Sequence, residues 1–172
     1  DYVRKIGKNL VFARKDTPGF IANRIFAPVI LYLSLVADVD KLEPADVDYT
    51  MRSSGGLKMG PFELLDFGGI DVVDLCQNYY HDNLCSDFGF TGKVRNLIDN
   101  GFYGKKSGKG FYEWPADGSR PVVDRESCTG KFDWELYYFI EANEATKLFE
   151  EGVCSFKDCD TAMCYGFNAK MP

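Results

Sequence analysis

Apolar side chains recur along this chain in blocks, and their spacing changes from block to block. Asn9 to Arg14 is a short strand-like run followed by Lys15-Asp16. Thr17-Pro18 then gives a helix start, since threonine can cap a first turn and proline is tolerated at the first helical position. Ile21, Ile25, Val29, Leu33 and Val36 follow at helical spacing, so residues 18 to about 38 predict one long helix. Pro28 lies inside it, removes one N–H and leaves the Arg24 carbonyl without its partner, which predicts a kink. Pro44 opens a short second helix, with Val47 and Met51 one turn apart and Gly55-Gly56 as its stop. After the turn Lys58-Met59-Gly60-Pro61 a third helix carries Phe62, Leu65, Val72, Val73 and Cys76, with an interruption expected at Gly68-Gly69. Lys93 to Asp99 predicts a fourth, stopped at Gly101. Phe102 to Trp114 is glycine-rich and edged by aromatics, so a tight irregular segment is expected there. Residues 132 to 165 return to helical spacing, with Trp134, Phe139, Ala142, Ala145 and Phe149 marking one face. The expected fold class is all-α.

The tail repeats the beginning. A shift of 112 residues brings Asp46, Asp48, Met51, Lys58 and Met59 onto Asp158, Asp160, Met163, Lys170 and Met171, without a gap. The shared order of long helix, short helix and turn makes this a duplicated helical unit whose second copy is partial. Three stretches are expected: a helical domain over 1–115, a linker over 116–130, and the partial second copy over 131–172.

Composition narrows the classes of function. A chain of 172 residues can bury roughly 70% of its unfolded surface, so no metal or disulfide staple is required. Asp+Glu 26 against Lys+Arg 20 gives a net charge of −6, which argues against nucleic acid as a partner, because phosphate binding rests on clustered cationic charge. The longest apolar run, Phe26 to Ala37, contains Pro28 and Ser34 and is too short to span a bilayer, so no membrane partner is expected. Asp1-Tyr2-Val3-Arg4 is not the opening of a signal peptide, and the absence of an initial Met suggests a fragment. The cysteines at 76, 85, 128, 154, 159 and 164 include no Cys-x-x-Cys pair, and His81 is the only histidine. No zinc site is expected, and the thiols read as reduced and the protein as cytoplasmic. In the repeat register Cys159 lies opposite Val47 and Cys154 opposite Leu42. Both are therefore expected as small core hydrophobes, and nothing supplies the cationic, partly exposed setting of a reactive thiol.

Candidate chemistry is sparse. Gly104-Lys-Lys-Ser-Gly-Lys-Gly110 has the wrong spacing for a phosphate loop and no strand before it, so local structure with a basic surface is the expectation. No Gly-x-Gly-x-x-Gly follows a strand, so a nicotinamide-binding half is not encoded here. His81 has only the adjacent Asp82 as a carboxylate partner fixed by spacing. Asn23 is the polar residue that stands out, with Gly19 four residues before it and Ala27 four residues after. Such a stripe of small side chains lets a backbone or a ligand approach a carboxamide able to donate and accept. A structural hydrogen bond and a ligand contact both account for it.

Three segments carry a resemblance. Lys15-Asp-Thr-Pro-Gly-Phe-Ile-Ala-Asn-Arg24, Lys58-Met-Gly-Pro-Phe-Glu-Leu-Leu-Asp66 and Gly104-Lys-Lys-Ser-Gly-Lys-Gly-Phe-Tyr112 are similar, in order, to the helical C-terminal domain of L-3-hydroxyacyl-CoA dehydrogenases. The resemblance covers residues 8 to about 114, and the remainder resembles the start of the second helical copy in the fused, multifunctional members. It implies oxidation of a 3-hydroxyacyl-CoA to the 3-ketoacyl-CoA with NAD, in fatty-acid β-oxidation or butyrate-type metabolism. It also implies an upstream Rossmann domain that carries the NAD site and the catalytic histidine and glutamate, which have no counterpart here. The family asparagine falls on Asn23, as a catalytic and substrate-binding residue, and the Met-Gly-Pro-Phe turn gives Met59, Pro61 and Phe62 as substrate-binding residues. Lys58 stands where the family often has proline. Glu135 is the repeat-register counterpart of Asn23, so the second copy departs from the motif and reads as a buttress.

The resulting expectation is the substrate-side and oligomerisation domain of such a dehydrogenase, inactive by itself and binding no cofactor. Its partners would be an acyl-CoA substrate, the upstream domain and a second copy in a homodimer. A stand-alone helical dimerisation or acyl-CoA-binding module is the alternative.

Overall fold

The computed structural model describes residues 2–124, 126 and 128–167, and among them every regular element is helical. A single turn, α1 (Tyr2–Lys5), buries nothing. The chain then runs without regular structure to α2 (Ala22–Asp38), the element on which the others are laid. Its apolar residues face more than one neighbour, so Ile25, Ala27, Val29, Leu33 and Val36 are all essentially without solvent contact. Each of the isoleucine, valine and leucine side chains contributes about 1.5–3 kcal/mol on burial.

The sequence places the start of α2 too early. Residues 18–21 form turns, and Phe20 has φ +52°, a left-handed conformation that no α-helix continues through. Thr17 does not cap: its hydroxyl accepts a 2.9 Å hydrogen bond from Arg24 Nη1 instead. The helix passes Pro28 as one element. The strand-like run before it finds no sheet, and Arg14 N donates to Val153 O at 2.7 Å across the far end of the chain.

Helix α3 (Pro44–Ser53) turns Val47 and Met51 into the core and places Asp48 over the start of α4 (Pro61–Gly68). Asp48 accepts from Phe62 N and Glu63 N, both at 2.8 Å, and so caps α4 from another helix. Gly69 separates α4 from α5 (Ile70–Asn83), as the sequence suggests. Ile70, Asp74, Gln77 and Tyr80 form the buried face of α5, and Asp74 is clamped by both terminal nitrogens of Arg95 from α6 (Gly92–Asp99).

The glycine-rich stretch folds as a 3-10 turn, Lys105–Ser107, inside a knot of bridges pairing Gly104 with Lys109 and Lys109 with Glu113. Asp66 at the end of α4 holds it, accepting from Phe111 N, Tyr112 N and the Trp114 indole at 2.9, 3.0 and 2.9 Å. Gly104 has φ +91°, and a Cβ there would lie 2.2 Å from the Asp66 carbonyl oxygen. The lysines stay at the surface, with Lys105 over the Phe67 ring at 4.9 Å and Lys106 on Asp71 at 2.6 Å. Gly104 and Gly110 serve close packing against Asp66.

The described residues of 115–130 carry no helix longer than a turn, yet they are fastened to the core at several points. Arg120 lies 3.1 Å from Glu63 Oε1 as an ion pair that is not aligned for a hydrogen bond, and Thr129 binds Asp46 through its N–H (2.9 Å) and its hydroxyl. They lead to α7 (Trp134–Glu150), which packs along α2, and to α8 (Phe156–Gly166). A shift of 112 carries both bounds of α2 onto those of α7 and the start of α3 onto the start of α8. Lys170 and Met171, which entered the repeat reading, lie outside the described residues.

The face of α7 that packs only in part matches the one its apolar residues mark, since Trp134 and Ala145 pack against the core. Tyr137, Glu144 and Leu148 are buried, whereas Phe139 is 68% exposed and Phe149 48%. Helix α2 supplies a polar anchor in Arg24, which draws Glu144 inward, so an electrostatic contact overrides the hydrophobic pattern.

Candidate functional site

Asn23 lies in the first turn of α2, exposed, and among the described residues its carboxamide has no hydrogen-bond partner. The small residues on either side are not an open stripe. The Tyr80 hydroxyl sits where a Cβ on Gly19 would be 2.8 Å from it, and Gln77 Nε2 donates to Ala27 O at 3.1 Å. Helix α5 has therefore taken both ends of the stripe and left the middle free. Gln77 Oε1 is buried there without a hydrogen-bond partner.

The residue after Asn23 is its anchor. Arg24 is buried, with Nε 2.5 Å from Glu144 Oε1, Nη1 on Thr17 and Nη2 3.4 Å from Glu151 Oε1; Lys147 reaches the other Glu144 oxygen at 3.0 Å. The turn that presents Asn23 is thus held from α7, 120 residues on. Arg24 stands in a motif the sequence singles out, but its partner has no sequence signal, because no local spacing relates residues 24 and 144.

Met59 lines a cavity of about 270 Å³ together with Phe26, Leu57, Leu64, Tyr137 and Tyr138, with Lys58, Arg120 and Glu141 among its polar groups. Phe26 is three residues along α2 from Asn23, so the cavity and the exposed carboxamide share one helix. Pro61 and Phe62 lie beneath this turn rather than on it: both are buried, and the Phe62 ring meets Phe111 edge-on at 4.7 Å. The turn is fixed by Asp48, which also accepts from the Tyr112 hydroxyl at 2.8 Å. Burial pushes the Asp48 carboxyl up to about 7 against those three hydrogen bonds, and it pushes Glu141 up to about 8 with nothing to oppose it.

A second cavity, about 630 Å³, opens between α7 and α8 beside Phe139, Ala142, Phe156, Asp160 and Met163. Glu141 lines both cavities. Glu135 lines the larger one, away from Asn23's surroundings. His81 is exposed and pairs with Asp82 at 2.9 Å. Among the described residues no group of three His, Cys, Asp or Glu could hold a metal ion, and no helix is long and apolar enough to cross a membrane. They contain no βαβ unit of the kind on which a dinucleotide lies in a Rossmann fold.

Comparison with known proteins agrees with this architecture. The model of the 3-hydroxyacyl-CoA dehydrogenase C-terminal domain matches residues 19–114, more than half of the chain. A probable 3-hydroxyacyl-CoA dehydrogenase of Caenorhabditis elegans is 36% identical over 116 residues, which is 66% of this chain and 37% of that protein. The fatty acid oxidation complex subunit alpha of Shewanella loihica is 31% identical over 179 residues, covering 96% of this chain and 25% of its own. The crystal structure of 3-hydroxybutyryl-CoA dehydrogenase from Escherichia coli superimposes with a TM-score of 0.76 at 21% identity, over 99% of this chain and 54% of that one, a likeness of fold. The chain spans little more than a third, at most, of the length of these two sequence relatives. It belongs to the 3-hydroxyacyl-CoA dehydrogenase family, and residues 19–114 are the family's helical C-terminal domain.

Proposed function

We propose that this chain is the substrate-side and oligomerisation domain of an NAD-dependent 3-hydroxyacyl-CoA dehydrogenase, acting in fatty-acid β-oxidation or butyrate-type metabolism. The observation that carries the reading is Asn23: an exposed, unpaired carboxamide on a rigidly anchored helix start, in the family motif. Asn23 donates to the substrate oxygen on which negative charge develops as the hydroxyl proton leaves. Met59 walls the acyl side, with Pro61 and Phe62 fixing the turn that presents it. The general base and the NAD site belong to an upstream Rossmann domain, as the membership in the family implies. Residues 131–172 act as a partial second helical copy that buttresses α2 through Glu144.

A donor preorganised for a developing charge is worth roughly 2.7–4 kcal/mol in the transition state. In the enzyme that includes the upstream domain, Asn23→Ala is expected to lower kcat about 10²–10³-fold while KM changes much less. The chain alone is expected to show no 3-hydroxyacyl-CoA-dependent NADH formation. Turnover by the purified chain, or wild-type kcat in the variant, would overturn the assignment.

A further inference from the structure

The connection from α7 to α8 ends in a capping box: the Ser155 hydroxyl accepts from Asp158 N at 3.2 Å, and Asp158 Oδ2 accepts from Ser155 N at 3.0 Å. A box of this kind brings the residue before the cap against the fourth residue of the helix, normally as a pair of apolar side chains. In the first unit those positions hold Leu42 and Val47, around the cap Glu43. In the second they hold Cys154 and Cys159, and the two sulfurs lie 3.4 Å apart, both residues buried. The staple that starts α8 is therefore a dithiol held at contact distance.

Two further features bear on its chemistry. Cys159 is among the residues that line the cavity of about 630 Å³, so a small molecule in the α7–α8 cleft comes against this residue. The loop bearing Cys154 is fixed from outside, because Arg14 N donates to Val153 O at 2.7 Å and Lys15 Nζ donates to Glu151 O. Disulfide bonding requires sulfurs about 2.05 Å apart, so the pair must close by roughly 1.4 Å from its 3.4 Å separation.

We propose that Cys154 and Cys159 form a modification site that closes to an internal disulfide when a small organic disulfide enters the α7–α8 cleft. The Cys159 thiolate attacks one sulfur of the reagent and expels one small thiolate, leaving a mixed disulfide on Cys159. Cys154 gives its proton to water and attacks Cys159 Sγ, expelling the second small thiol. The protein loses two electrons and two protons, and the reagent becomes two thiols. Burial and the neighbouring sulfur push the Cys159 thiol up to about 12, so the first step is slow at neutral pH and quickens as pH rises. The second step is intramolecular and fast. The surface thiols Cys76 and Cys85 lack this neighbour arrangement and serve as the internal reference.

The test exposes the folded chain to 2-hydroxyethyl disulfide, blocks the remaining thiols and digests with trypsin, which cuts after Lys157 and separates Cys154 from Cys159. Peptides 148–157 and 158–170 are expected joined by a disulfide with no reagent mass retained on the pair. The link should persist in Cys164→Ser, which removes the other thiol of the second peptide, and be absent in Cys159→Ser. Cys76 and Cys85 should carry the reagent as mixed disulfides. Two unlinked peptides in wild type, once Cys76 and Cys85 have reacted, would overturn the proposal. So would a link that needs denaturant, or one lost in Cys164→Ser.

Discussion

Glu141 shows what one side chain can do to the whole domain's response to pH. It occupies the repeat-register place of Val29, a fully buried position on α2, yet it is a carboxyl between two cavities with no cation paired to it among the described residues. Burial raises it to about 8, against about 4.3 for an ordinary glutamate. Between those values the unfolded chain has released the proton and the folded chain retains it. Stability therefore falls as pH rises from about 4.3 to about 8, by at most about 1.4 kcal/mol per unit, and levels off above. Thermal melts of wild type and Glu141→Gln across pH 4–9 should converge near pH 4 and diverge upward, with the glutamine variant the more stable at pH 8. Parallel curves would show that Glu141 is ionised in the fold. Asp48, also raised, contributes equally to both proteins and cancels in the difference. Glutamate at this place gives no warning in the sequence, because its depth is set by α2, α7 and α8 together.

Among the elements, the ones whose shape is dictated locally are those the sequence reveals. Pro44, Pro61 and Gly69 set helix bounds through backbone chemistry that needs no partner, and α3, α4 and α5 lie where those residues put them. The start of α2 and the packed face of α7 were misread for one reason: both are fixed by Arg24 and Glu144, which meet only in the folded chain. Removing Glu144 leaves the buried Arg24 only Thr17 and the more distant Glu151, so Glu144→Ala should cost up to about 3–5 kcal/mol, whereas Arg24→Met with Glu144→Leu should cost far less. Urea titrations of the two variants separate these outcomes, and equal losses would make the pair merely steric. The glycine-rich element allows a sharper comparison. Gly104→Ala forces a methyl to 2.2 Å from a backbone oxygen in addition to its positive φ, and should cost about 3 kcal/mol or more. Gly108→Ala has φ +79° but open space around it, and should cost about 1–2 kcal/mol. Similar losses at the two positions would mean that the clasp on Asp66 can relax.

For the molecule as a whole, the question is which surface remains to be covered. Ile25, Val29 and Leu33, the apolar repeat of α2, are already occupied within the chain, because α7 and α6 lie on α2. One surface that stays open is the outer side of α7 and α8. Phe139 is 68% exposed, and Phe149 and Phe156, each 48% exposed, stack at 4.4 Å beside the mouth of the larger cavity. A contiguous apolar surface of this sort is costly to leave in water, and a second copy can cover it with the same patch by two-fold symmetry. The net charge of −6 on each copy, with Glu135 and Asp160 at the cleft, opposes that approach. Salt screens the opposition and leaves the apolar gain intact. Self-association measured by sedimentation should therefore tighten as ionic strength rises from about 0.01 to about 0.5 M, the reverse of an interface built on ion pairs. Phe139→Asp with Phe156→Asp should abolish it without lowering the melting temperature, since neither side chain is in the core. A monomer at every ionic strength would remove the α7–α8 face as a site of pairing, and dimers that survive the double substitution would place the interface elsewhere.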